Sequence, residues 1–395
     1  MRSIIAKSER AIEDVQTNYI RPHISWLNQN ERLIGILGSR GVGKTTLLLQ
    51  YLKTKLNTST AVYLSLDDLY FTENSLSDFV DSFVKNGGTH VFLDEVHNYP
   101  TWSNEIKNLY DQHKKLKLVY TGSSLLKIKK GRADLSRRSV VYNLPGLSLR
   151  EYINITENTN FPAYSLGKIL SQHPKISKTI WTRTLPIKKY NEYIKSGYYP
   201  FFIENSVNYL KKLNATILEV LETDLPYIAG INYHNINKIK QLLYIISESV
   251  PFKPNLTKLS ERIGISKNTL KDYLIYIREA MLINSLYAES KGISKLSKPE
   301  KIYLYHPNLM HALNTDNTNT GNLRESFFLN QVSQNHDVFY PLKGDFLVDG
   351  QVFEIGGKNK THTQIKNMDN AWLALDEIET GYKREIPLWL FGFLY

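Results

Sequence analysis

Residues 32–52 read RLIGILGSRGVGKTTLLLQYL, and the octet GSRGVGKT at positions 38–45 decides the fold expected for the chain. The octet fits the phosphate-binding pattern G-x-x-x-x-G-K-[ST] at every fixed position. The apolar run LIGIL before it predicts a strand, and TTLLLQYLK after it predicts a helix. In this arrangement the glycines let backbone N–H groups turn towards bound phosphates, and the helix presents its positive N-terminus to them.

Side chains of the same octet predict further contacts with a nucleotide. Lys44 would supply a mobile cation for the phosphates, and the hydroxyl of Thr45 would ligate magnesium. The predicted nucleotide-binding residues are Gly38, Ser39, Arg40, Gly41, Val42, Gly43, Lys44, Thr45 and Thr46. The expected ligands are therefore a nucleotide and Mg²⁺.

A second motif, THVFLDEVHNYP at residues 89–100, tests the first. It predicts an apolar strand that ends in Asp94 and Glu95. Asp94 would hold the magnesium ion together with Thr45, and Glu95 would orient the attacking water.

Three more apolar runs predict further strands. They are AVYLSLDD (61–68), KLKLVYTGSS (115–124) and SVVYNLPGLS (139–148), and helical segments separate the strands. Alternating strands and helices indicate a parallel sheet that is covered on both faces. We therefore predict an α/β fold with a P-loop domain of five parallel strands.

Composition limits the classes of protein that remain. The 395 residues carry a formal charge of +11 and no cysteine, so disulfides, thiolate metal sites and a cysteine nucleophile are excluded. The excess of positive charge favours an anionic partner such as DNA. The N-terminal stretch MRSIIAKSERAIEDV is charged throughout, and no apolar stretch approaches the ~20 residues that span a bilayer, so we expect a cytoplasmic protein without a membrane partner.

The chain resembles the AAA+ ATPases, and more narrowly the prokaryotic ATPases in which an AAA domain precedes a C-terminal region of unknown function. The resemblance is carried by GSRGVGKTT, VFLDEVHNYPTW, VYTGSS and RRSVVYNLPGLSLREY, and it continues over nearly the whole chain. It implies an AAA+ P-loop ATPase core at residues 1–147, with ATP as the nucleotide. Lys44 and Thr45 then belong to the Walker A motif, and Asp94 and Glu95 belong to the Walker B motif.

The resemblance also implies roles for residues outside these two motifs. Thr121 would be the sensor at the end of the fourth strand. Arg138 would be the arginine finger, with Arg137 as the alternative, although both could instead cap a helix. A finger that reaches the nucleotide of a neighbouring subunit requires a homo-oligomer.

Residues 148–235 are predicted to form a helical lid or linker. Apolar residues recur there at three-to-four spacing in SLREYINI, IKKYNEYIKSG and SVNYLKKLNATILEVLETDL. Within this region, Pro162, Pro174 and Pro186 interrupt residues 158–186 and predict a mobile connection without a long helix.

Residues 236–312 are predicted to contain a winged helix. In LTKLSERIGISKNTLKDYLIYIREAMLINSLY (256–287), a short helix, a turn at Gly264, a second helix capped by Ser266 and a following strand reproduce that pattern. A DNA reader would present from the second helix the polar side chains of Lys267, Asn268, Thr269 and Lys271. Winged helices also dock proteins, so a protein partner is the alternative.

Residues 321–395 are predicted to form an α/β domain that resembles the restriction nucleases, with a helix, a hairpin, a second helix and a last strand. In an active member, Asp345 and Glu354 would share a magnesium ion and Glu325 would support it.

The lysine that this nuclease pattern requires is not at the expected position. The residue two positions after Glu354 is Gly356, and the next lysine is Lys358, which would have to reach back across the two glycines. The domain is therefore either a working nuclease or an inactive nuclease fold kept for docking or for binding nucleic acid.

These observations lead to three functional hypotheses. The first is an ATP-hydrolysing AAA+ protein that acts on DNA or on a DNA-bound partner. The second is a nucleotide-switched regulator or scaffold that docks another protein. The third is an ATP-dependent magnesium nuclease that uses the C-terminal carboxylates.

Overall fold

A computed structural model of the protein describes residues 2–127, 135–248, 251–289, 298–313, 319–361, 363, 365, 366 and 368–395. The chain forms two compact units, one of Met1–Pro145 with Asp224–Gly230 and the other of Gly146–Thr223 with Ile231–Tyr395. In the described part of the chain, no helix is both long enough and apolar enough to cross a membrane.

The first unit alternates strands and helices, as the sequence predicts. In chain order its elements are α1 (Arg2–Asp14), β1 (Leu33–Gly38), α2 (Lys44–Lys55), β2 (Ala61–Ser65), α3 (Tyr70–Glu73), α4 (Leu76–Lys85), β3 (His90–Asp94), α5 (Trp102–Gln112), β4 (Lys117–Ser123) and β5 (Val140–Asn143). The helices enclose a core built on the buried apolar residues of the strands. The predicted α/β fold with a P-loop parallel sheet is confirmed.

The order of the strands places the two nucleotide motifs close to each other. All five strands are parallel and lie in the order β2-β3-β4-β1-β5. Strand β4 therefore separates the P-loop strand β1 from the acidic strand β3. Because parallel strands end at the same edge of a sheet, Thr121 on β4 lies between the P-loop and the carboxylates that end β3.

The described residues after β5 form ten further helices and seven strands, and all of these except one helix lie in the second unit. They are α6 (Leu149–Thr156), α7 (Leu166–Trp181), α8 (Pro186–Ser196), α9 (Tyr209–Glu219), α10 (Leu225–Ala229), α11 (Tyr233–Glu248), α12 (Leu256–Ile263), α13 (Lys267–Glu279), β6 (Ile283–Leu286), β7 (Lys301–Leu304), α14 (Pro307–Leu313), α15 (Thr320–Val332), β8 (Val338–Phe339), β9 (Phe346–Val348), β10 (Gln351–Gly356), β11 (Ala371–Leu375) and β12 (Glu385–Pro387). The segment grouped with the first unit contains α10.

The mobile connection predicted at residues 158–186 is wrong. Helix α7 runs through Pro174, and the side chain of Ser165 caps its N-terminus. Proline cannot donate a hydrogen bond to the carbonyl four positions earlier, and here His173 Nδ1 lies 3.3 Å from that Leu170 oxygen. The ring nitrogen therefore satisfies the carbonyl that the proline leaves without its helical donor.

Helices α12 and α13 and the antiparallel pair β6 and β7 follow the pattern from which a winged helix is predicted. Gly264 adopts the left-handed conformation, with φ of 71°, between the two helices, and Ser266 caps the second one. Leu270, Tyr273 and Leu274 turn the inner face of α13 into the core, so Tyr273 packs inside the domain.

The C-terminal sheet has the order β12-β11-β10-β9-β8, in which β8, β9 and β10 are antiparallel and β10, β11 and β12 are parallel. The hairpin of β9 and β10 joins the N–H of Asp345 to the carbonyl of Phe353 at 2.9 Å. Asp345 consequently lies beside Glu354, as predicted from the sequence.

Candidate functional site

The loop between β1 and α2 has the conformation that a phosphate cradle needs. Gly41 and Gly43 have φ of 82° and 91°, which other residues rarely adopt. Lys44 is buried, and its ammonium donates to the carbonyls of Gly38 at 3.2 Å and Ser39 at 3.1 Å. In this structure the Lys44 ammonium is therefore hydrogen-bonded to the backbone of the loop itself.

Asp94 accepts hydrogen bonds from hydroxyl groups on three different elements. Thr45 Oγ1 donates to its Oδ2 at 2.6 Å and Tyr63 donates to the same oxygen at 2.8 Å, while Thr121 donates to its Oδ1. Asp94 itself is only 2% exposed. The carboxylate is thus desolvated and surrounded by neutral donors, an arrangement that leaves its charge available to a cation.

Glu95 is held in an unusual conformation beside Asp94. Its φ is 54°, in the left-handed region that non-glycine residues seldom occupy, and its N–H donates to Thr121 Oγ1 at 3.1 Å. Burial raises the pKa of the Glu95 carboxyl, and the positive charge of Lys44 opposes that rise. The buried His97 ring lies beside this carboxylate, with Nε2 3.3 Å from Glu95 Oε2.

Two residues of this site were missed by the sequence analysis. Tyr63 lies on β2, whose register with β3 pairs Tyr63 with Phe92, so its side chain shares a face with that of Asp94, and strand adjacency could have revealed it. Asp224 is buried, and its Oδ1 lies 3.3 Å from Arg40 Nη1 in the P-loop. No local signal marks Asp224, because 184 residues separate it from Arg40.

Arg138, the predicted arginine finger, is bound within its own chain. Its Nε and Nη2 atoms donate to the two carboxylate oxygens of Asp111 at 3.0 and 2.9 Å. Asp111 lies in the last turn of α5, so this ion pair connects the residues that precede β5 to that helix. The hydrogen bonds from Arg138 lower the pKa of the Asp111 carboxyl.

The donors at the end of β3 fit a magnesium ion bound with ATP. Magnesium prefers a few hydroxyl, carboxylate and phosphate oxygens together with water. Thr45 and Asp94 already bring a hydroxyl and a carboxylate oxygen within 2.6 Å of each other, next to the phosphate loop.

The second unit contains another group of carboxylates, which we call the carboxylate cluster: Glu325, Asp345 and Glu354. All three residues are predicted from the sequence, and they lie together in the structure. Two lysines that are not predicted for this site lie among them. Lys360 Nζ is 2.6 Å from Glu354 Oε1, and Lys301 Nζ is 3.5 Å from Glu325 and 3.6 Å from Asp345.

Burial is the main electrostatic influence on the cluster. It raises the pKa of Glu325, and the neighbouring charge of Asp345 raises it further. It also raises the pKa of Glu354, although Lys360 opposes that rise. Burial alone would lower the pKa of Lys360, but the hydrogen bond and charge of Glu354 outweigh it, so the Lys360 pKa is raised.

The expectation that Lys358 reaches back to Glu354 is wrong. Lys358 Nζ lies 4.0 Å from Glu377 Oε2 and the side chain is 60% exposed. Lys360 takes the predicted place because its chain crosses Gly356, where an added Cβ would lie 2.5 Å from the Lys360 Cβ and Cγ atoms. Gly356 thus occupies the position where the nuclease pattern expects a lysine, and its lack of a side chain leaves space for Lys360.

Comparison with known families supports the nucleotide site. Residues 30–153 match the family described as an AAA domain, and residues 187–320 match a domain of unknown function, DUF8612. The first match covers both nucleotide motifs and the fourth strand. Together with the five-stranded sheet, it supports an AAA-type P-loop fold and nucleotide binding for this part of the chain.

Similar proteins add little on function. An uncharacterized protein of Methanocaldococcus jannaschii is 25% identical over 290 residues, which cover 70% of this chain and 61% of that relative. An elongation factor P of Aster yellows witches'-broom phytoplasma is 37% identical over 82 residues, which cover 20% of this chain and 42% of that protein. The chain thus matches less than two thirds of the length of either relative.

Among solved structures, C. elegans PCH-2 is 18% identical with a TM-score of 0.24, over 40% of this chain and 43% of that one. At that score it adds nothing to the fold described above.

We predict that Lys360→Met lowers the free energy of unfolding by about 1–3 kcal/mol near neutral pH, because it leaves the buried Glu354 carboxylate without its ammonium partner. The pKa of Glu354, already raised in the folded protein, rises further in this variant. A group with a raised folded-state pKa favours folding when protonated, so the loss should shrink as the pH falls towards the ordinary glutamate value of 4.5. Urea unfolding of both proteins near neutral pH and at mildly acidic pH measures the two effects.

Lys358→Met is the matched control, because it removes the same charge from an exposed side chain of the same loop. We expect it to change the free energy of unfolding by less than about 0.5 kcal/mol. Equal losses in the two variants would contradict the role assigned to Lys360.

Proposed function

We propose that the protein is an ATP-hydrolysing AAA+ ATPase that acts on DNA or on a DNA-bound partner. The observation that carries the ATPase is the meeting of the P-loop, Asp94, Glu95 and Thr121 at one edge of the parallel sheet. A Walker A loop alone would support nucleotide binding, whereas the second carboxylate beside it supports hydrolysis.

The P-loop binds and orients the phosphates in this proposal. Backbone N–H groups of residues 38–46 surround them, and Lys44 exchanges its carbonyl partners for phosphate oxygens. Thr45 and Asp94 would hold Mg²⁺, which would neutralise the charge that develops on the phosphates. The partners that Asp94 would exchange for the ion are neutral hydroxyls, so no ion pair would have to break.

Glu95 orients the attacking water and takes up its proton. Its raised pKa brings the carboxylate closer to the pKa range in which a general base works well at neutral pH. Thr121 fixes the backbone of Glu95 and the side chain of Asp94 at once, which makes it a positioning residue. The His97 ring, whose Nε2 lies 3.3 Å from Glu95 Oε2, limits the movement of that carboxylate.

The arginine finger of this proposal is Arg138, acting on the nucleotide of a neighbouring protomer in a homo-oligomer. Arg138 would first have to leave Asp111. Both side chains are partly exposed, at 29% and 43%, and ion pairs in such positions are weak. The pair therefore holds Arg138 in a defined place and still allows it to turn to a phosphate.

Positive charge supports DNA as the partner. The chain carries a formal charge of +11, and α13 exposes Lys267, Asn268 and Lys271. Such an arrangement suits contacts with phosphates and base edges. In the second hypothesis, a nucleotide-switched scaffold, the same surface docks a protein and hydrolysis is indifferent to DNA.

The third hypothesis, an ATP-dependent nuclease, is favoured by one feature and opposed by another. Lys360 supplies an ammonium group 2.6 Å from Glu354, in the role that the nuclease pattern gives to a lysine. Lys301, however, stands between the other two carboxylates of the cluster. The donors do not fit a magnesium ion in this arrangement, so we derive no cleavage step.

We predict that Lys44→Ala abolishes tight ATP binding, whereas Glu95→Gln keeps ATP bound but unhydrolysed. The first variant loses the phosphate cation and the second loses only the base. Equilibrium binding of a fluorescent ATP analogue and single-turnover hydrolysis separate the two effects, with exposed Lys55→Ala and Glu73→Gln as matched controls. Hydrolysis by Glu95→Gln at the rate of the unaltered protein would contradict the assignment of Glu95 as the general base.

We predict that DNA stimulates ATP turnover, and that the stimulation falls steeply as salt rises, because phosphate contacts release counterions. The double variant Lys267→Ala and Lys271→Ala should lose the stimulation but keep the basal turnover. Lys175→Ala with Lys178→Ala removes the same charge from exposed positions on α7 and should behave as the unaltered protein. Turnover that is indifferent to single-stranded and double-stranded DNA would favour the scaffold.

A further inference from the structure

We propose that Lys301 is the resident cation of the carboxylate cluster and occupies it in place of a divalent metal. The inference concerns the C-terminal part of the chain alone and does not depend on nucleotide hydrolysis.

Lys301 bridges two carboxylates that come from different elements. Its ammonium lies 3.5 Å from Glu325 Oε2 on α15 and 3.6 Å from Asp345 Oδ1 before β9. The Lys301 side chain is 9% exposed, and those of Glu325 and Asp345 are each 17% exposed. Solvent screens these contacts little, so the ammonium charge acts strongly on Asp345, one of the two carboxylates that would share a metal ion, and on Glu325, which would support it.

Further hydrogen-bond donors reach the carboxylates of the cluster besides Lys301. Tyr303 donates to Glu325 Oε2 at 2.6 Å, and the N–H of Ile355 donates to Asp345 Oδ2 at 2.9 Å. Lys360 holds Glu354 from the other side. Magnesium needs several oxygens in near-octahedral geometry, so it would have to displace more than one of these donors.

The charge of the cluster leads to the same conclusion. Three carboxylates would attract a divalent cation strongly, but Lys301 and Lys360 neutralise two of the three charges. Metal affinity at oxygen sites depends on the number of uncompensated ligand charges. In the described residues, no three acidic or histidine side chains are arranged to hold a metal ion.

The C-terminal motif alone does not reveal that a lysine neutralises the cluster, because Lys301 lies outside that motif. Lys301 and Tyr303 lie on β7, in the region predicted as a winged helix, and both point into the cluster. The strand pair of β6 and β7 is thereby ionically joined to the nuclease-like domain. The cluster therefore connects the two regions through ion pairs. This structural role favours binding or docking over cleavage as the function of the C-terminal domain.

The test is a titration of the nucleotide-free, full-length protein with Mn²⁺, in which free ion is followed by electron paramagnetic resonance. Cation bound by the cluster is defined as the part that Asp345→Asn removes, since Asp94 is unaltered throughout and contributes a common background. We expect no such binding in the unaltered protein. We expect Lys301→Met to gain such binding, with a dissociation constant at least about tenfold below the highest Mn²⁺ concentration at which the unaltered protein shows none, because one neutralising charge is gone.

Three comparisons make the result decisive. Lys301→Arg, which keeps the positive charge, should bind no additional Mn²⁺, and Lys358→Met, which removes an exposed lysine of the adjacent loop, should behave as the unaltered protein. The gain in Lys301→Met should vanish when Asp345→Asn is added. A gain that survives this addition would overturn the proposal.

The unaltered protein gives a test that does not depend on the folding of Lys301→Met. Mn²⁺ binding by the unaltered protein that exceeds binding by Asp345→Asn would overturn the proposal, because the cluster would then accept a metal with Lys301 present. Identical titration curves for these two proteins support it.

Discussion

The hydrogen bonds that converge on Asp94 are the constraint on which the nucleotide-binding unit depends. A carboxylate that is 2% exposed has to be satisfied by its neighbours, and here the hydroxyls of Thr45, Tyr63 and Thr121 do so. These residues come from the helix after the P-loop and from two strands that flank β3. One carboxylate thus fixes the loop, the sheet edge and the sensor position relative to one another, and Glu95 follows directly in the chain.

The two groups of acidic residues in this protein are satisfied in different ways, and the difference bears on what each can bind. Asp94 accepts hydrogen bonds from neutral hydroxyls, which leave its negative charge uncompensated. The carboxylate cluster is neutralised by the ammonium groups of Lys301 and Lys360. A divalent cation can replace neutral donors with a gain in Coulomb energy, whereas at the cluster it competes with a charge already in place.

The sequence was sufficient for those parts of the fold that local patterns encode. The five parallel strands, the P-loop and the acidic end of β3 follow from apolar runs and spacing, and the capped helix after Ser266 follows from its turn chemistry. Pro174 was misjudged because a neighbouring histidine satisfies the carbonyl that proline leaves without a donor. Asp224 and Lys301 could not be assigned from spacing, since each reaches its partner through tertiary packing, whereas the pairing of β2 with β3 would have placed Tyr63 near Asp94.

The affinity for ATP with and without Mg²⁺, compared between the unaltered protein and Asp94→Asn, tests the central claim most directly. The amide keeps the size of the side chain but removes the charge that would hold the cation. The account predicts that Mg²⁺ tightens ATP binding by the unaltered protein and that Asp94→Asn still binds ATP but gains nothing from Mg²⁺. An undiminished effect of Mg²⁺ on the variant would contradict the assignment of Asp94 and, with it, the organisation of the site described here.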